Sequence, residues 1–471
     1  MTLMNIARAP ELQDADVAAL ARAMTAGRLS SVELVRAYRT RIAELDGRLN
    51  AVRAVDPSAE AEAATLDAER REGTLRGPLH GIPVLVKNNI DVAGLATTAG
   101  SHALATSVPD RDAGVVARLR EAGMVVLGTT NLTEMANYMS HDMPSGYSAL
   151  GGQVINPYDA SRTPSGSSSG SAVAAAAALA TLTVGTETSG SILSPAQACS
   201  VVGVKPTVGL LSGTGIVPIA TTQDTAGPMA RTVRDAALLL SAMLASNPGS
   251  DHTDYTATLS GAALTGTRLG LVGEHDDDPT LARAVAVLRS RGATIVPVPL
   301  APVRTPDILT FELRRDLNAY LAGLPAGAPV RTLAEIIAHN EANPDATLKF
   351  GQSLLQAADA IDLDDEQTRA TYTQHRTEGL RVARDAISSV LAEHRLDALV
   401  STDATIAVAA RAGYPSVSVP AGYTAHGREP VAVVFTGTAF TEARLLAMAH
   451  DYEQATRLWR PPSVVNPSLF H

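Results

Sequence analysis

Short β-branched runs alternate with helical stretches from about residue 76 onward, and this alternation limits the possible folds more than any other pattern in the chain. Helical stretches such as Ala113–Ala122 and Val233–Leu244 separate the runs. The alternation predicts an α/β protein with a buried sheet. The runs that we predict to be strands are Ile82–Val86, Met124–Leu127, Val201–Val204, Arg268–Val272, Thr294–Val298, Leu396–Val400, Ser416–Val419 and Val431–Phe435.

The same patterns predict how the chain is organised. A length of 471 residues would suit about three domains, but no serine- or glycine-rich linker separates the strand-rich blocks. We therefore expect one domain, 1–471. We expect its parts to be N-terminal helices at 1–75, a core at 76–245, a helical excursion over a substrate cleft at 305–393, and a C-terminal return to the sheet at 394–471.

The composition excludes several kinds of partner. With 45% hydrophobic and 18% charged residues, the chain suits a globular protein with a large core. A formal net charge of −10 offers no basic field for nucleic acid. The most apolar run, Ala172–Val184, is too short to span a bilayer. Residues 1–20 lack the apolar stretch of an export signal, and the lone cysteine, Cys199, suits a reducing compartment, so we expect a cytoplasmic protein.

Two turns rich in glycine and serine carry the strongest chemical signal. The segment TPSGSSSGSAVAAAAALA runs from such a turn straight into an alanine-rich helix, and a second turn, GTETSGSIL, follows at Gly185–Leu193. Small residues let the backbone approach a ligand closely, and N–H groups exposed in a turn can stabilise an oxyanion. The pattern therefore indicates catalysis built on backbone groups.

Three schemes could activate a serine in these turns. Gly166–Gly170 formally matches the nucleophile elbow G-x-S-x-G around Ser168, but the polar NPYDASRTP stands where an elbow needs a strand. A serine–lysine pair of the S-x-x-K type is absent, because no lysine has a serine three residues before it. The third scheme uses a lysine from elsewhere in the chain.

Lys87 is the lysine that fits the third scheme. It ends GIPVLVK, where Ile82–Val86 is predicted to be a buried strand. A lysine can act as a base only when its pKa falls by roughly 2–3 units, and burial can cause such a fall. The alternative is a lysine that reaches from the strand end into water. This segment alone leaves both interpretations open.

Together the segments GIPVLVKNN, PSGSSSGSA and GTETSGSI resemble the amidase signature family of hydrolases. The resemblance continues through VVGVKPTVGLLS, QDTAGPMAR and AGYPSVSVPAG, and it covers nearly the whole chain. It implies a single domain with a central mixed β-sheet flanked by helices on both faces. It also implies an amide hydrolase that needs neither metal nor cofactor.

The resemblance assigns roles to particular residues. It implies that Ser191 is the nucleophile, Ser167 the bridging serine and Lys87 the base of a Ser–cisSer–Lys triad. The peptide bond that enters the bridging serine, Gly166–Ser167, is cis in the family. The backbone N–H groups of Thr188, Ser189, Gly190 and Ser191 are expected to form the oxyanion hole.

Within the family, PSGSSSGSAVA, QDTAGPMAR and FELRRDLNAYL are most similar to the peptide amidases. We therefore expect a peptide amide or another neutral carboxamide as substrate, and a monomer or homodimer. Leu193 replaces an arginine found in many members, which argues against small anionic substrates. Ser189 differs from the usual glycine in the oxyanion turn. The alternatives are an acyl transferase that tailors a biosynthetic intermediate and an A-type subunit of an amidotransferase.

Other polar residues are expected to support the structure only. The resemblance gives this role to Asn131, Glu134, Asp224 and Arg231, and Lys205 is interpreted in the same way. No companion motif suggests a catalytic role for His80, His102 and His141.

Overall fold

The computed structural model describes residues 9–244, 253–273, 279–300, 303–424 and 427–470, with side chains from residue 12 onward. Within these ranges the chain forms an 11-stranded sheet and a two-stranded ribbon. The strands are β1 (Val52–Val55), β2 (Pro83–Lys87), β3 (Val125–Thr130), β4 (Tyr147–Ser148), β5 (Gly152–Gln153), β6 (Leu182–Glu187), β7 (Val202–Lys205), β8 (Thr225–Ala230), β9 (Arg268–Leu271), β10 (Thr294–Pro297), β11 (Ala398–Ser401), β12 (Ser416–Tyr423) and β13 (Pro430–Thr436).

The α-helices in the described ranges alternate with these strands. They are α1 (Ala9–Asp14), α2 (Val17–Thr25), α3 (Ser31–Leu49), α4 (Ala59–Arg71), α5 (Gly114–Glu121), α6 (Ser169–Ala176), α7 (Leu193–Ala198), α8 (Val233–Met243), α9 (Pro279–Ser290), α10 (Leu309–Ala322), α11 (Leu333–Ala342), α12 (Pro344–Thr347), α13 (Ser353–Asp359), α14 (Glu366–Glu393), α15 (Ile406–Ala412), α16 (Glu442–Thr456) and α17 (Pro462–Val465).

The large sheet is mixed, and its strand order is β1-β3-β2-β6-β8-β7-β12-β13-β11-β9-β10. β2 lies parallel to both β3 and β6, whereas β6 and β8 are antiparallel. Strands such as β2, β3 and β6 are buried along their whole length, because helices cover the sheet. All the strands predicted from β-branched runs form, and their ends differ from the predicted ones by at most four residues. The predicted α/β fold with a central mixed sheet is confirmed.

Apart from β6, which lies between the two turns rich in glycine and serine, two strands of the sheet, β1 and β8, fall outside the predicted runs. The first 75 residues were expected to be helical, but β1 lies between α3 and α4 and pairs antiparallel with β3. β8 has the sequence TAGPMA and lies between β6 and β7. Neither segment has a β-branched run long enough to predict a strand. Both become strands because a neighbouring strand offers its free hydrogen-bonding edge.

A group of helices, α10 to α13, lies beside the sheet and has an apolar cluster of its own. Leu313, Leu317 and Leu321 of α10 pack there with Leu333 and Ile336 of α11. The cluster also takes in residues 99–104 and 135–143, which belong to loops at the sheet edge that carries the site described below. This arrangement sets α10 beside those loops.

Three expectations concern single features of the chain. Cys199 is buried and is not part of a disulfide. Among the described helices, none combines the length and apolar character that crossing a membrane requires. The expectation that residues 1–20 hold no export signal falls partly outside the described residues, which begin at residue 9.

Candidate active site

Lys87 lies at the carboxyl end of β2, beside the end of β6. The two strands are parallel, and Val86 pairs with Val184. Their carboxyl ends therefore meet at the same edge of the sheet, which is where ligands bind in open α/β sheets. Thr186 lies two residues after Val184, so the register of the two strands brings its side chain to the lysine.

The amine of Lys87 is enclosed by hydroxyl and carbonyl groups. Its Nζ lies 2.7 Å from Oγ of Ser167, 2.8 Å from Oγ1 of Thr186 and 3.3 Å from the carbonyl oxygen of Thr186. The side chain has no exposed surface, so the lysine does not reach water. Burial lowers the pKa of Lys87 to about 7, and the negative charges of Asp224 and Glu187 oppose part of this effect.

These contacts suit a neutral amine. An uncharged Nζ has two N–H donors and one lone pair. The carbonyl oxygen of Thr186 can only accept a hydrogen bond, and its hydroxyl can accept the second N–H. The lone pair then faces the hydroxyl of Ser167, which can donate its proton. The arrangement places a base next to Ser167.

Ser167 lies in the loop before α6, and the peptide bond between Gly166 and Ser167 is cis. The loop is fastened on both sides. The N–H of Thr133 donates to the carbonyl oxygen of Ser167 at 3.1 Å. The hydroxyl of Ser168 donates to the carbonyl oxygen of Thr186 at 3.0 Å and accepts from its N–H at 3.1 Å. Ser168 is therefore occupied as a structural group, and no strand precedes it, which leaves the nucleophile-elbow scheme without support.

Ser191 lies in the turn after β6, next to the loop of Ser167. The N–H of Ser168 donates to the carbonyl oxygen of Ser191 at 3.1 Å, which joins the two segments. The Ser191 side chain is largely buried. Its hydroxyl forms no hydrogen bond with any described residue, so the structure joins Lys87 to Ser167 but leaves the Ser167–Ser191 pair unbonded.

The turn 188–191 contains backbone donors that are not used by the described part of the chain. Gly190 has a φ of 82°, a left-handed conformation that glycine adopts without steric cost. Within the described part of the chain, the N–H groups of Thr188, Ser189, Gly190 and Ser191 have no hydrogen-bond acceptor. Free N–H groups in one turn are the donors that an oxyanion hole needs.

The carboxylates of Glu187 and Asp224 hold this turn in place. The sequence alone did not place either of them at the site. Glu187 Oε2 accepts from the N–H of Ile192 at 2.8 Å and from that of Leu193 at 3.0 Å, so it fixes the chain just after Ser191. Asp224 accepts a hydrogen bond from the Thr188 hydroxyl. The signal for Glu187 was present in the motif GTETSGS, since an acidic residue so close to buried small residues needs partners.

Helix α10 supports the turn from the other side. The Asp316 carboxylate accepts from the N–H of Thr221 at 2.9 Å, and Glu312 accepts from the N–H of Thr222 at 3.2 Å. The next residue, Gln223, donates from Nε2 to the carbonyl oxygen of Thr188 at 3.1 Å. The FELRRDLNAYL segment is thus connected to the free N–H groups through the loop before β8.

The residues expected to be structural do bond to the backbone or to loops. Asn131 donates to two carbonyl oxygens, Glu134 accepts from Ala149, and Arg231 donates to the carbonyl oxygen of Ala15 at 2.6 Å. Lys205 is fully buried and donates to the carbonyl oxygen of Pro206 at 3.0 Å. None of the hydrogen bonds of His80, His102 and His141 reaches a serine of the two turns.

A cavity of about 470 Å³, here called the site cavity, opens beside the turn. Thr186, Thr188 and Asp224 line it, and Ile216 and Val217 contribute apolar surface. Of the two residues that depart from the family pattern, Ser189 is exposed at this turn. Leu193 is buried in an apolar cluster with Ile406 and Val434.

Known proteins are similar to this chain over most of its length. A model of the amidase family matches residues 33–446. The probable amidase of Arabidopsis thaliana is 39% identical in an alignment of 480 positions that covers 96% of this chain and 92% of that protein. The A-type subunit of the glutamyl-tRNA(Gln) amidotransferase from Ralstonia nicotianae is 36% identical in an alignment of 488 positions that covers 93% of this chain and 97% of that protein.

A solved structure is similar over the same length. The native peptide amidase of Stenotrophomonas maltophilia has a TM-score of 0.90 and 46% identity, and the match covers 95% of this chain and 98% of that one. The resemblance seen in the sequence motifs is thereby confirmed. The chain belongs to the amidase family and is an enzyme that hydrolyses amides.

Proposed function

We propose that this enzyme removes the amide group from the C-terminus of peptides, or from other neutral carboxamides, through an acyl-enzyme on Ser191. The observation that carries the proposal is the fully buried amine of Lys87, 2.7 Å from the Ser167 hydroxyl and next to a turn with free N–H groups. A base, a hydroxyl relay and oxyanion donors are the parts that acyl transfer requires.

The proposed proton path runs from Ser191 through Ser167 to Lys87. When substrate binds, the unbonded hydroxyl of Ser191 donates to Ser167, since catalytic hydrogen bonds often tighten only in the complex. Neutral Lys87 takes the proton of Ser167 as Ser167 takes that of Ser191. The Ser191 oxygen forms a bond to the amide carbonyl carbon, and the carbonyl π electrons move to its oxygen.

The turn then stabilises the charge on that oxygen. The free N–H groups of residues 188–191 donate to it, and each such donor is worth roughly 3–4 kcal/mol in well-studied hydrolases. The proton returns from Lys87 through Ser167 to the nitrogen, the C–N bond breaks, and ammonia leaves. Water, deprotonated by the same path, attacks the ester of Ser191 and releases the carboxylic acid.

The proposed substrate class is supported by the similarity to a peptide amidase and by the surroundings of the turn. Leu193 is packed among apolar side chains, so no cation at this position recognises a small anionic acyl group. The volume of the site cavity, about 470 Å³, lies in the range of pockets that bind small organic molecules, which suits the end of a peptide.

The proposal predicts which amides are cleaved. We expect an N-acetylated peptide amide with an apolar last residue to release one ammonia per molecule, while the same peptide as a free acid is left intact. After rapid quenching, the intact mass of the enzyme should show the added acyl group. Digestion of the enzyme should then place this group on the fragment that contains Ser191. Amides of small dicarboxylic acids, assayed in parallel, should react at least about tenfold more slowly because nothing offsets the cost of burying their charge.

Other results of these assays would contradict the proposal or favour an alternative. An acyl group on a different residue would contradict the mechanism, and no ammonia from any amide would contradict the function. The similarity to a component of an amidotransferase favours a second candidate, in which the chain works only within a complex. Activity of the purified single chain would rule that candidate out. Product formation only with an added amine acceptor would favour acyl transfer.

The pH dependence of the reaction is a separate prediction. Lys87 must be neutral to accept a proton, and burial sets its pKa at about 7. Below that pH the charged fraction grows, so kcat/KM should fall about tenfold for each pH unit of acidification. Above about pH 8 it should level off. A flat profile of kcat/KM from about pH 5.5 to about pH 8.5, measured by ammonia release, would contradict the base role.

Asp224 offers the control for this profile, because burial raises its own pKa to about 7 and its charge raises that of Lys87. Asp224→Asn can keep its contacts, with the side-chain carbonyl facing Ile219 and Ala220 and the amide donating to Thr188. Without the negative charge, the pKa of Lys87 should fall further. The acid limb should therefore move to lower pH and not disappear.

A further inference from the structure

A second cavity adjoins the site cavity. It has a volume of about 370 Å³ and lies between the loop before β8, α14 and the end of α15. Val208 and Thr221 line both cavities, so the two are neighbours that share a wall. Gln223 also lines the second cavity, and its side chain donates to the carbonyl oxygen of Thr188 at 3.1 Å. The second cavity is therefore one side chain away from the turn of free N–H groups.

The lining of this second cavity is strongly basic. Arg376 and Arg384 of α14 and Arg411 of α15 contribute guanidinium groups, and His375 lies beside them. We call it the arginine cavity. Among the described lining residues there is no aspartate and no glutamate. In a chain with a net charge of −10, this is a local concentration of positive charge.

Among the residues that the structure describes, no ion pair neutralises the three arginines. In the described part of the chain, none of them has a carboxylate within 4.0 Å. Arg384 Nε donates to the carbonyl oxygen of Ala412 at 3.1 Å, and Arg411 Nη1 donates to that of Thr305 at 3.4 Å. Each guanidinium has five N–H donors, so most of them are left for a ligand.

One carboxylate acts on Arg411 from outside the lining. Asp307 supports the charge of Arg411 through space, while burial lowers the pKa of that arginine. The Asp307 carboxylate is engaged in the first turn of α10, where it accepts from the N–H of Leu309 at 2.9 Å and from the hydroxyl of Thr310. It therefore does not occupy the cavity as an internal counter-ion.

The walls of the arginine cavity also have apolar parts. Leu380 lies one helical turn from Arg376 and from Arg384, so the three share a face of α14. Phe440, with 69% of its surface exposed, and Ile308 also line the cavity. A site with guanidinium groups and short apolar walls matches an aliphatic side chain that ends in a carboxylate.

We propose that the arginine cavity binds a carboxylate side chain of the peptide substrate, at a residue upstream of the C-terminal amide. This inference rests on the proposed function and adds a substrate preference to it. The shared wall of the two cavities favours a carboxylate that belongs to the substrate over a free ion. It is also compatible with Leu193, since the anion is recognised away from the reacting amide and not beside it.

The test compares pairs of N-acetylated tetrapeptide amides that differ only in a glutamate or glutamine at the second, third or fourth position before the amide. We expect kcat/KM at one of these positions to be about fivefold higher for glutamate, a value between those of exposed and partly buried ion pairs. The preference should shrink when NaCl is raised from about 0.05 M to about 0.5 M, because salt screens the attraction.

Variants connect this preference to the cavity. In the double variant Arg376→Gln with Arg411→Gln, the ratio of kcat/KM for the glutamate and glutamine peptides should fall to about one. Arg381→Gln is the matched control, because Arg381 lies on α14 outside the cavity and pairs with Glu378 and Asp385. It should leave the ratio unchanged.

The outcomes separate this inference from the proposed function. Cleavage of the glutamine peptides with no preference for glutamate at any position would overturn the arginine cavity as a subsite and leave the peptide amidase activity standing. The same holds if the double variant keeps the full preference. No ammonia from any of the peptides would overturn the subsite together with the activity on peptide amides on which it rests.

Discussion

Replacing Ser191 by alanine is expected to abolish ammonia release from a peptide amide, with kcat reduced by at least about 10⁴-fold. The alanine side chain has no oxygen with which to form the acyl bond, and no other described residue supplies a nucleophilic oxygen at that position. The free N–H groups of the turn remain, so substrate should still bind. The measurement is ammonia release under saturating peptide amide, with KM or inhibitor binding as the second readout.

A second serine in the same segment provides the control for this variant. Ser194 lies three residues further along, in the first turn of α7, and its hydroxyl forms no hydrogen bond with a described residue. Ser194→Ala removes the same atom and should keep activity within about threefold, because Ser194 is not part of the proposed proton path. Full activity in Ser191→Ala would reject the acyl-enzyme mechanism outright.

Replacing Lys87 by methionine is expected to lower kcat/KM by at least about 10³-fold, because the proton of Ser167 then has no acceptor. Methionine has a similar length, so the packing around β2 should be kept. The hydroxyl and carbonyl groups of Thr186 lose a partner, which costs roughly 1–3 kcal/mol of stability. Thermal unfolding of the variant, measured alongside ammonia release, separates this loss of stability from the loss of chemistry.

Two further lysine variants sharpen this result. Lys87→Arg keeps a donor of hydrogen bonds but stays charged, so activity should be lost as completely as in Lys87→Met if the residue is a base. The other fully buried lysine, Lys205, donates a hydrogen bond to the carbonyl oxygen of Pro206, and burial lowers its pKa to about 8, although the charges of Glu187 and Glu442 oppose part of this effect. Lys205→Met should lower the stability while kcat of the folded fraction stays within about tenfold, since Lys205 touches none of the proposed triad. Substantial activity in Lys87→Arg would contradict the base role.

The strands of the sheet show what local sequence can predict. Runs such as Val431–Phe435 became strands because β-branched and aromatic side chains suit a buried pleated surface whatever their neighbours are. β8, with glycine and proline in TAGPMA, has no such preference. It forms a strand because β6 and β7 present hydrogen-bonding edges on both its sides, and that information lies more than 20 residues away in the chain.

The residues of the candidate site also fall into two groups, those that a local motif identifies and those that only the fold places there. Lys87, Ser167 and Ser191 could be assigned because they lie in compact motifs whose order resembles a family. Thr186 has no such prominence, yet it is the residue that holds the lysine amine by two contacts. Its role depends on the parallel register of β2 and β6, which no local pattern specifies.

The residues that hold the oxyanion turn in place were even harder to predict from the sequence. Glu312 and Asp316 lie about 120 residues after the turn, on α10, and act on it through the loop of Gln223. The arginine cavity is a further case, because its cations come from two helices that are separate in the chain. Juxtapositions of this kind arise only from packing.

Linear patterns were sufficient for the α/β class, the family, and the small residues of the turn before Ser191, whose N–H groups are free in the described structure. These are properties of neighbouring residues, so a linear pattern contains them. The enclosure of Lys87 came from the packing of distant segments, since a lysine at a strand end reaches water unless other parts of the chain cover it. Here β6 and the loop of Ser167 cover it, and the resulting loss of hydration brings its pKa to about 7, within the range where a lysine can accept a proton.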